Sequence, residues 1–348
     1  MQRKSIMGAM TGIFATLTAL VLLGATSAWA AKIDCSPVTN TSAELPRTAA
    51  IGTNPAGTFA HVMGTTLAAV GSKATPISVK VQPYNGPNAW ISLLQSGELE
   101  FGVINIIDSY MAMTGTGSYE KPAPVLRVVS GGVFPFFAGM FVRDKSDIKE
   151  LKDLKGKRLA WDYGGHATNQ AWQSAMLEIG GLKPSDVVQV RVSSLVDATR
   201  GVAEGRVDAT TTGVGIAMND EANAREPIRF LNVPNTDASR NVLAKLGASP
   251  VKSTPATGIK GDTHVIGYSL HLASSTKVNE RTIYTLVKVW WDHMGEIQTK
   301  HPIFKRWTKE SQAITDFTVP YHPGAIKFYK EMGLWTARHD ARSKEICQ

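Results

Sequence analysis

An internal repeat constrains this 348-residue chain more than any other feature of its sequence. Three features of the first copy return in the same order at nearly one spacing. Ile51–Gly52 with its loop to Thr58 matches Trp161–Asp162 with its loop to Thr168, at an offset of 110 residues. Residues 78–81 match 187–190 at an offset of 109, and residues 96–101 match 204–209 at an offset of 108. One match could arise by chance, but three in one order predict two copies of a β-α-β-α-β unit.

Each matched loop is followed by residues with the 3.6-residue period of an amphipathic helix. The apolar positions are Phe59, Val62, Met63, Leu67 and Val70 in the first copy and Ala171, Trp172, Ala175, Met176 and Ile179 in the second. Threonine is a favoured N-cap residue. We therefore expect Thr58 and Thr168 to cap these two helices.

The remaining segments predict how the two copies are joined. Residues 125–129 and 137–142 are typical of buried strands, and 264–273 of a strand that leads back. A long amphipathic helix is predicted at 279–297, and a final helix after Pro323. Alternating strands and helices favour a mainly parallel sheet in each unit, and two crossings near Phe137 and Tyr268 predict a two-stranded hinge.

The predicted fold class is therefore α/β, with two lobes that face each other across a cleft. Lobe I is predicted to comprise 31–136 and 270–348, and lobe II to comprise 137–269. Ligands of open parallel sheets bind beyond the carboxyl ends of the strands. A cleft between two such sheets can close by hinge motion.

The first 30 residues have the pattern of a secretory signal peptide. Arg3 and Lys4 precede the apolar run 13–23, and the small residues Ala28 and Ala30 suit cleavage after Ala30. A membrane anchor is the alternative, but the run is short. We expect a periplasmic mature chain, whose net charge falls from +8 to +6 with the loss of the two cations.

The two cysteines, Cys35 and Cys347, lie near opposite ends of the mature chain. An exported protein is exposed to oxidising conditions, so we predict a disulfide that joins the termini. Closing so long a loop stabilises a fold by at most about 5 kcal/mol. Two free thiols remain the alternative.

The motifs of several enzyme classes are absent from the sequence. The stretch "GTNPAGT" lacks the lysine of a Walker loop, and no G-x-S-x-G elbow occurs. The histidines form no H-E-x-x-H motif or Cys/His cluster. We therefore predict no metal, no cofactor and no catalysis, and we find no basic-aromatic run of the kind that binds nucleic acid. The chain is expected to be a monomer.

Polar and small residues gather at the predicted strand ends and helix starts. Each has a structural explanation, because Asn and Gly form turns and Thr caps helices. As a set they predict the lining of a binding site. The candidate ligand-binding residues are Thr53, Asn54, Gly57, Thr58, Asn85, Gly86, Asn105, Trp161, Tyr163, Gly165, His166, Thr168, Thr212 and Gly213. Asn88, Asp108, Ser193, Ser194 and Thr211 occupy similar positions.

The chain resembles the TAXI-type periplasmic solute-binding proteins of tripartite ATP-independent periplasmic (TRAP) transporters. The resemblance covers nearly all of the mature chain, in order. It is carried by "IGTNPAGTFAHVMGTTLA", "QPYNGPNAWISLLQSGELEFGVIN", "LKDLKGKRLAWDYGGHAT", "GRVDATTTG" and "YHPGAIKFYKEMGL". It implies a type II-like periplasmic-binding-protein clamshell that catalyses no reaction. It also implies delivery of a small carboxylate, such as glutamate or 2-oxoglutarate, to a TRAP permease driven by an ion gradient.

One loop departs from the family pattern. Where relatives usually have Gly-Ser-Gly-Thr, this chain has 165–168, so His166 replaces a small hydroxyl residue. We expect an anionic group of the solute to be held by N–H groups and by the hydroxyls of Thr58 and Thr168, without an obligatory arginine. His166 would donate a hydrogen bond and, if protonated, a charge.

Aromatic residues near the predicted site could favour a solute with a flat or apolar body. The candidates are Phe136, Trp161, Tyr163 and Trp90. For Trp90 we favour core packing, because it forms a helix stripe with Ile91 and Leu94.

Two other classes of function remain open on this architecture: an enzyme, since porphobilinogen deaminase shares it, and a periplasmic sensor that partners a membrane kinase.

Overall fold

A mixed sheet of ten strands forms the framework of the residues described by the structure, a computed structural model that describes residues 33, 35–164 and 166–347. The predicted signal peptide and Gly165 lie outside the described residues. The strands are β1 (Thr48–Thr53), β2 (Ser78–Pro83), β3 (Phe101–Asn105), β4 (Leu126–Arg143), β5 (Arg158–Trp161), β6 (Val188–Arg191), β7 (Ala209–Gly213), β8 (Ile228–Phe230), β9 (Ser249–Lys252) and β10 (His264–Ser275).

Helices cover the sheet. They are α1 (Phe59–Ala74), α2 (Pro87–Ser96), α3 (Ile106–Thr114), α4 (Ala167–Ile179), α5 (Leu195–Ala203), α6 (Ala217–Arg225), α7 (Asp237–Ala244), α8 (Glu280–Asp292), α9 (Met294–Thr299), α10 (Pro323–Glu331) and α11 (Ala337–Ile346). Short 3-10 helices lie at 151–154, 184–186, 302–306 and 310–312. No helix of this described part is both long and apolar enough to cross a membrane.

The sheet order confirms the internal repeat. The strands follow the order β2-β1-β3-β10-β4-β7-β5-β6, with β8 beside β4 and β9 beside β10. Strand β1 runs parallel to β2 and β3, and β5 runs parallel to β6 and β7. We refer to β1 through α3 as the first repeat and to β5 through α6 as the second repeat.

Strands β4 and β10 connect the two repeats. They pair antiparallel with each other, β10 pairs with β3 of the first repeat, and β4 pairs with β7 of the second. The separate strands predicted at 125–129 and 137–142 were wrong, because both belong to the single 18-residue strand β4. Nearly all of β4 is buried, and the glycines between the two predicted segments lie within the strand.

The helix predicted at 279–297 is also divided. Helix α8 ends at Asp292, and α9 begins at Met294. Between them His293 adopts φ −101° and ψ 18°, which lies outside the usual helical range. Within α8 the buried Trp290 donates from Nε1 to the carbonyl of Leu67 on α1, 3.0 Å away, and so fixes α8 against the first repeat.

The core explains one aromatic residue in particular. Trp90 of α2 is fully buried and packs over Gly102 of β3. A β-carbon built on Gly102 would lie 2.2 Å from the Trp90 ring, so only glycine fits there. Trp90 is therefore a core residue.

The chain ends are covalently joined. Cys35 and Cys347 form a disulfide with Cα atoms 5.4 Å apart, across 312 residues of sequence. Beside it the amide of Ile33 donates to the carbonyl of Ile346 at 2.8 Å. The sequence analysis predicted this bridge between the termini. It ties the N-terminal segment to the end of α11, a helix that the sequence patterns did not predict.

Candidate ligand-binding cavity

A cavity lies beyond the carboxyl ends of β1, β3 and β7, between the two repeats. It measures about 40 Å³ for the centres of water-sized spheres. Since one water needs roughly 10–15 Å³ in this measure, it has room for a few waters. It is lined by Asn54, Thr58, Phe59, Ala60, Asn105, Phe136, His166, Asn169, Leu195, Thr212, Gly213, Ile216, Tyr268 and Leu270.

Five helices begin on the wall of this cavity. Lining residues occupy the N-cap or first turn of α1, α3, α4, α5 and α6. The first N–H groups of a helix have no partner within it, and they carry a partial positive charge. Among the described residues of the wall, none is a lysine, arginine, aspartate or glutamate. Positive electrostatic potential on the described wall therefore comes from the N-termini of these helices.

The first repeat contributes a helix start that its own side chain caps. Thr58 is the N-cap of α1, and its hydroxyl accepts from the amide of His61 at 3.3 Å. The same hydroxyl donates to the carbonyl of Pro55 at 2.7 Å. The predicted cap is confirmed, and these local bonds hold the Thr58 side chain against the wall.

The second repeat contributes a helix start without a side-chain cap. Helix α4 begins at Ala167, so its N-cap is His166, whose side chain makes no cap hydrogen bond. The prediction that Thr168 caps this helix was wrong. Thr168 is the second helical residue, and its buried hydroxyl donates to Asn105 Oδ1 at 3.3 Å instead.

Two side-chain hydrogen bonds join the repeats at the cavity. Thr168 to Asn105 is one, and the second links Asn54 Nδ2 to His166 Nε2 at 3.1 Å. Burial lowers the pKa of His166, and the negative charge of Asp108 opposes that effect. A neutral imidazole has one donor and one acceptor nitrogen, so Nε2 accepts from Asn54 when Nδ1 carries the proton.

This arrangement leaves two buried polar atoms on the wall without a partner among the described residues. They are Asn54 Oδ1 and His166 Nδ1. Buried polar atoms are almost always hydrogen-bonded in native proteins, and an exception needs an explanation. A bound solute that offers one donor and one acceptor would satisfy both.

Aromatic rings form the apolar part of the wall. The rings of Phe59 and Phe136 stack with centroids 5.5 Å apart, and Phe136 meets Tyr268 edge-on at 5.5 Å. Behind them Trp172 lies 5.0 Å from Tyr268. The cavity therefore combines neutral hydrogen-bonding groups with a flat aromatic side.

Comparison with known protein families identifies the family of this chain. Residues 51–333 match the sequence pattern of the NMT1-like family, which is most of the chain. The chain belongs to the NMT1-like family.

Solved structures resemble the NMT1-like protein at low sequence identity. PhnD1 from Prochlorococcus marinus in complex with methylphosphonate matches with a TM-score of 0.52 and 11% identity, over 83% of this chain and 100% of that one. A Bordetella bronchiseptica protein matches with a TM-score of 0.53 and 12% identity, over 83% and 98%. The alkanesulfonate-binding protein SsuA from Xanthomonas axonopodis pv. citri has a TM-score of 0.46 and 17% identity, over 87% and 86%. The α/β fold matches that of two-lobed periplasmic binding proteins.

The structure brings six of the predicted site residues to the cavity of the NMT1-like protein. These are Asn54, Thr58, Asn105, His166, Thr212 and Gly213. The others described do not line it: Thr53, Gly57, Asn85, Gly86, Trp161, Tyr163 and Thr168.

Three of these positions have clear structural roles. Tyr163 is buried in the core of the second repeat, and its hydroxyl bonds Gln173 Oε1 at 2.7 Å and Thr210 Oγ1 at 2.9 Å. Burial raises its pKa to about 12. Gly86 is the N-cap of α2, and Thr53 is fully buried in β1.

Several lining residues were missed. Phe59, Ala60, Asn169, Leu195 and Ile216 belong to the N-caps and first turns of their helices, so a rule that included these positions would have found them. Tyr268 and Leu270 come from β10, whose place between the repeats depends on sheet order. The described residues contain no group of three His, Cys, Asp or Glu side chains that could hold a metal ion.

Proposed function

We propose that this NMT1-like protein is an exported receptor. It captures a small carboxylate-bearing solute in the cavity and delivers it to a TRAP-type membrane permease. The observation that supports this best is the convergence of five helix N-termini on a wall with two unpartnered polar atoms.

Helices α1 and α4 are the best placed to hold a carboxylate. Neither has an acidic residue in its first turn, whereas α3, α5 and α6 have Asp108, Asp197 and Asp220. A helix N-terminus carries about half a positive charge and stabilises an anion by roughly 0.3–1 kcal/mol, or ~2 kcal/mol when partly buried. Two such ends suit one carboxylate without an arginine.

The rest of the solute would contact the aromatic side of the wall. Phe59, Phe136 and Tyr268 favour a flat or apolar body. A solute larger than a few waters can enter only if the two repeats separate. We therefore propose that the chain forms two lobes that move apart. Lobe I comprises 31–136 and 270–348, and lobe II comprises 137–269. The pairing of β4 with β10 shifts register between Tyr268 and Leu272, which suits bending at this point.

Two further observations support export. The first 30 residues have the pattern of a signal peptide, and a disulfide between Cys35 and Cys347 suits the oxidising periplasm. The permease class rests on the TAXI-type sequence resemblance.

Mass spectrometry of small molecules released from the denatured protein tests the solute class. We expect a small carboxylate, which should raise the melting temperature when added back in excess. At a hundredfold excess over its dissociation constant, the expected gain is about 2.7 kcal/mol. Release of a cation or a neutral sugar, with no response to any carboxylate, would contradict the proposal.

Uptake into vesicles that contain a candidate TRAP permease tests the partner. Labelled solute should enter only when both this protein and an ion gradient are present. Uptake that needs ATP and no gradient would show that the permease class is wrong, and it would leave the solute class intact.

A further inference from the structure

A buried carboxylate lies directly behind the cavity wall. Asp108, the third residue of α3, is fully buried. Its Oδ2 accepts from Asn105 Nδ2 at 2.7 Å, and its Oδ1 accepts from the hydroxyl of Tyr119 at 3.1 Å. Because Asn105 lines the cavity, a single amide side chain separates this carboxylate from a bound solute.

The charge of Asp108 acts on groups that face the solute. It raises the pKa of His166 against the larger, opposite effect of burial. It also adds to the effect of burial in raising the pKa of Tyr268. His166 and Tyr268 both line the cavity, so the negative potential extends into it.

No cation among the described residues forms an ion pair with this carboxylate. None of the ion pairs among the described residues includes Asp108, and the described wall contains no lysine or arginine. The corresponding third residue of α6 is the neutral Asn219. The cavity therefore has a negative side at Asn105 and positive helix ends at α1 and α4.

We propose that Asp108 selects solutes by charge: the cavity accepts a monocarboxylate whose other end is neutral, and it rejects a second negative charge beside Asn105. This inference rests on the proposed function, because it assumes that one carboxylate is held at α1 and α4. Asp108 acts through Asn105 and is a positioning and charge-selecting residue. It also orients the Asn105 amide, because Nδ2 donates to the carboxylate.

The first test needs no solute. Titration of His166 by NMR in the wild-type protein and in Asp108→Asn measures the field of Asp108 in the cavity. We expect a lower His166 pKa in Asp108→Asn, because a nearby negative charge is removed. Tyr119→Phe removes a hydrogen bond and keeps the charge, so it should shift that pKa less. An unchanged His166 pKa in folded Asp108→Asn would overturn the inference.

The second test uses pairs of probes with nearly equal shape. Succinate and succinamate differ by one charge, as do terephthalate and 4-carbamoylbenzoate. By calorimetry we expect the monoanion of a pair to bind the wild-type protein at least about tenfold more tightly than the dianion. Asp108→Asn should reduce that ratio, and Tyr119→Phe should preserve it.

The outcomes separate the two proposals. Equal affinity for both members of a pair, or an unchanged ratio in Asp108→Asn, would overturn the charge selection and leave the receptor function intact. Absence of binding by every carboxylate, together with a non-carboxylate solute released from the purified protein, would overturn the proposed function and this inference with it.

Discussion

The two repeats of this NMT1-like protein share a framework and differ in chemistry. Each places a helix start beyond the end of its first strand, at α1 and at α4. In the first repeat the Thr58 hydroxyl caps that helix, whereas in the second His166 occupies the N-cap without a side-chain cap bond. The shared framework therefore determines where the cavity lies, and the different residues determine what each side offers to a solute.

The cores of the repeats differ in a complementary way. The fourth residue of α2 is Trp90 and the second residue of β3 is Gly102. At the matching positions of the second repeat are Ala198 in α5 and Thr210 in β7. Ala198 and Thr210 are both fully buried, so in the second repeat the small residue lies on the helix and the larger one on the strand.

Loss of the Trp90 side chain from the first repeat should have the largest effect on the stability of the fold. Trp90→Ala removes a fully buried ring, so we expect the free energy of unfolding to fall by about 3–5 kcal/mol. Denaturant unfolding measures it. Trp291→Ala on α8, where the ring is only half-buried, is the matched control and should cost less. Equal losses would mean that Trp90 has no special place in the core, and Trp90→Phe serves if Trp90→Ala does not fold.

The second repeat should dominate solute binding. His166→Ala removes a polar atom that faces the cavity and the partner of Asn54. We expect the affinity for the released solute to fall by about ten- to a hundredfold, which corresponds to roughly 1.4–2.8 kcal/mol. Calorimetry measures it, with His264→Ala on β10 as the control. An unchanged affinity would remove His166 from the site.

Removal of the side-chain cap of α1 should lower the stability of the fold more than a substitution at the N-cap of α4 does. Thr58→Ala deletes the hydroxyl that accepts from His61, and loss of such a cap costs about 1 kcal/mol. His166→Gln deletes no cap bond and keeps a polar group of similar size beside Asn54, so it should destabilise the fold less than Thr58→Ala does. Thermal unfolding compares the two, and Thr65→Ala, exposed on the same helix, is the control. If His166→Gln were the more destabilising of the two, the difference between the helix starts would not hold.

Much of this architecture could be predicted because it depends on local patterns. Periodic apolar residues in 59–74 and 167–179 specify helices, and three matched spacings specify the repeat. The short α7, β8 and β9 carry few periodic residues, and they were missed. The position of the α4 N-cap was wrong because a buried contact between Thr168 and Asn105, which are 63 residues apart, uses the hydroxyl expected to cap the helix.

The candidate site was predicted only in part for a similar reason. Strand ends identify Asn54, Thr58 and Asn105, since their positions follow from the strands before them. Tyr268 reaches the wall because β10 lies between β3 and β4, and nothing in its local sequence indicates that neighbourhood. Tyr163 was expected at the site but points into the core, where Gln173 and Thr210 hold its hydroxyl.

The smallest expected effect is a pH dependence that belongs to the second repeat. The first repeat places Asn54, Thr58 and Asn105 on the wall, none of which titrates near neutral pH, whereas the second places His166 there. Burial lowers the pKa of His166, with the charge of Asp108 in opposition, so the ring is neutral at neutral pH. A carboxylate bound beside it favours the protonated ring. By linkage the affinity should then rise as the pH falls from neutral toward the lowered pKa of His166.

Calorimetry at about pH 7.5 and about pH 5.5 measures this effect, on either side of the ordinary histidine pKa. We expect a gain in affinity of about three- to tenfold in the wild-type protein and none in His166→Gln, which keeps a polar group without a titrating ring. Burial lowers the pKa of His271 to about 3 and that of His322 to about 4. Because these histidines would be protonated in the unfolded chain, the fold becomes less stable as the pH drops below about 6.5. Unfolding is therefore measured at each pH as a control. If His166→Gln gained affinity equally, the pH dependence would not come from the second repeat.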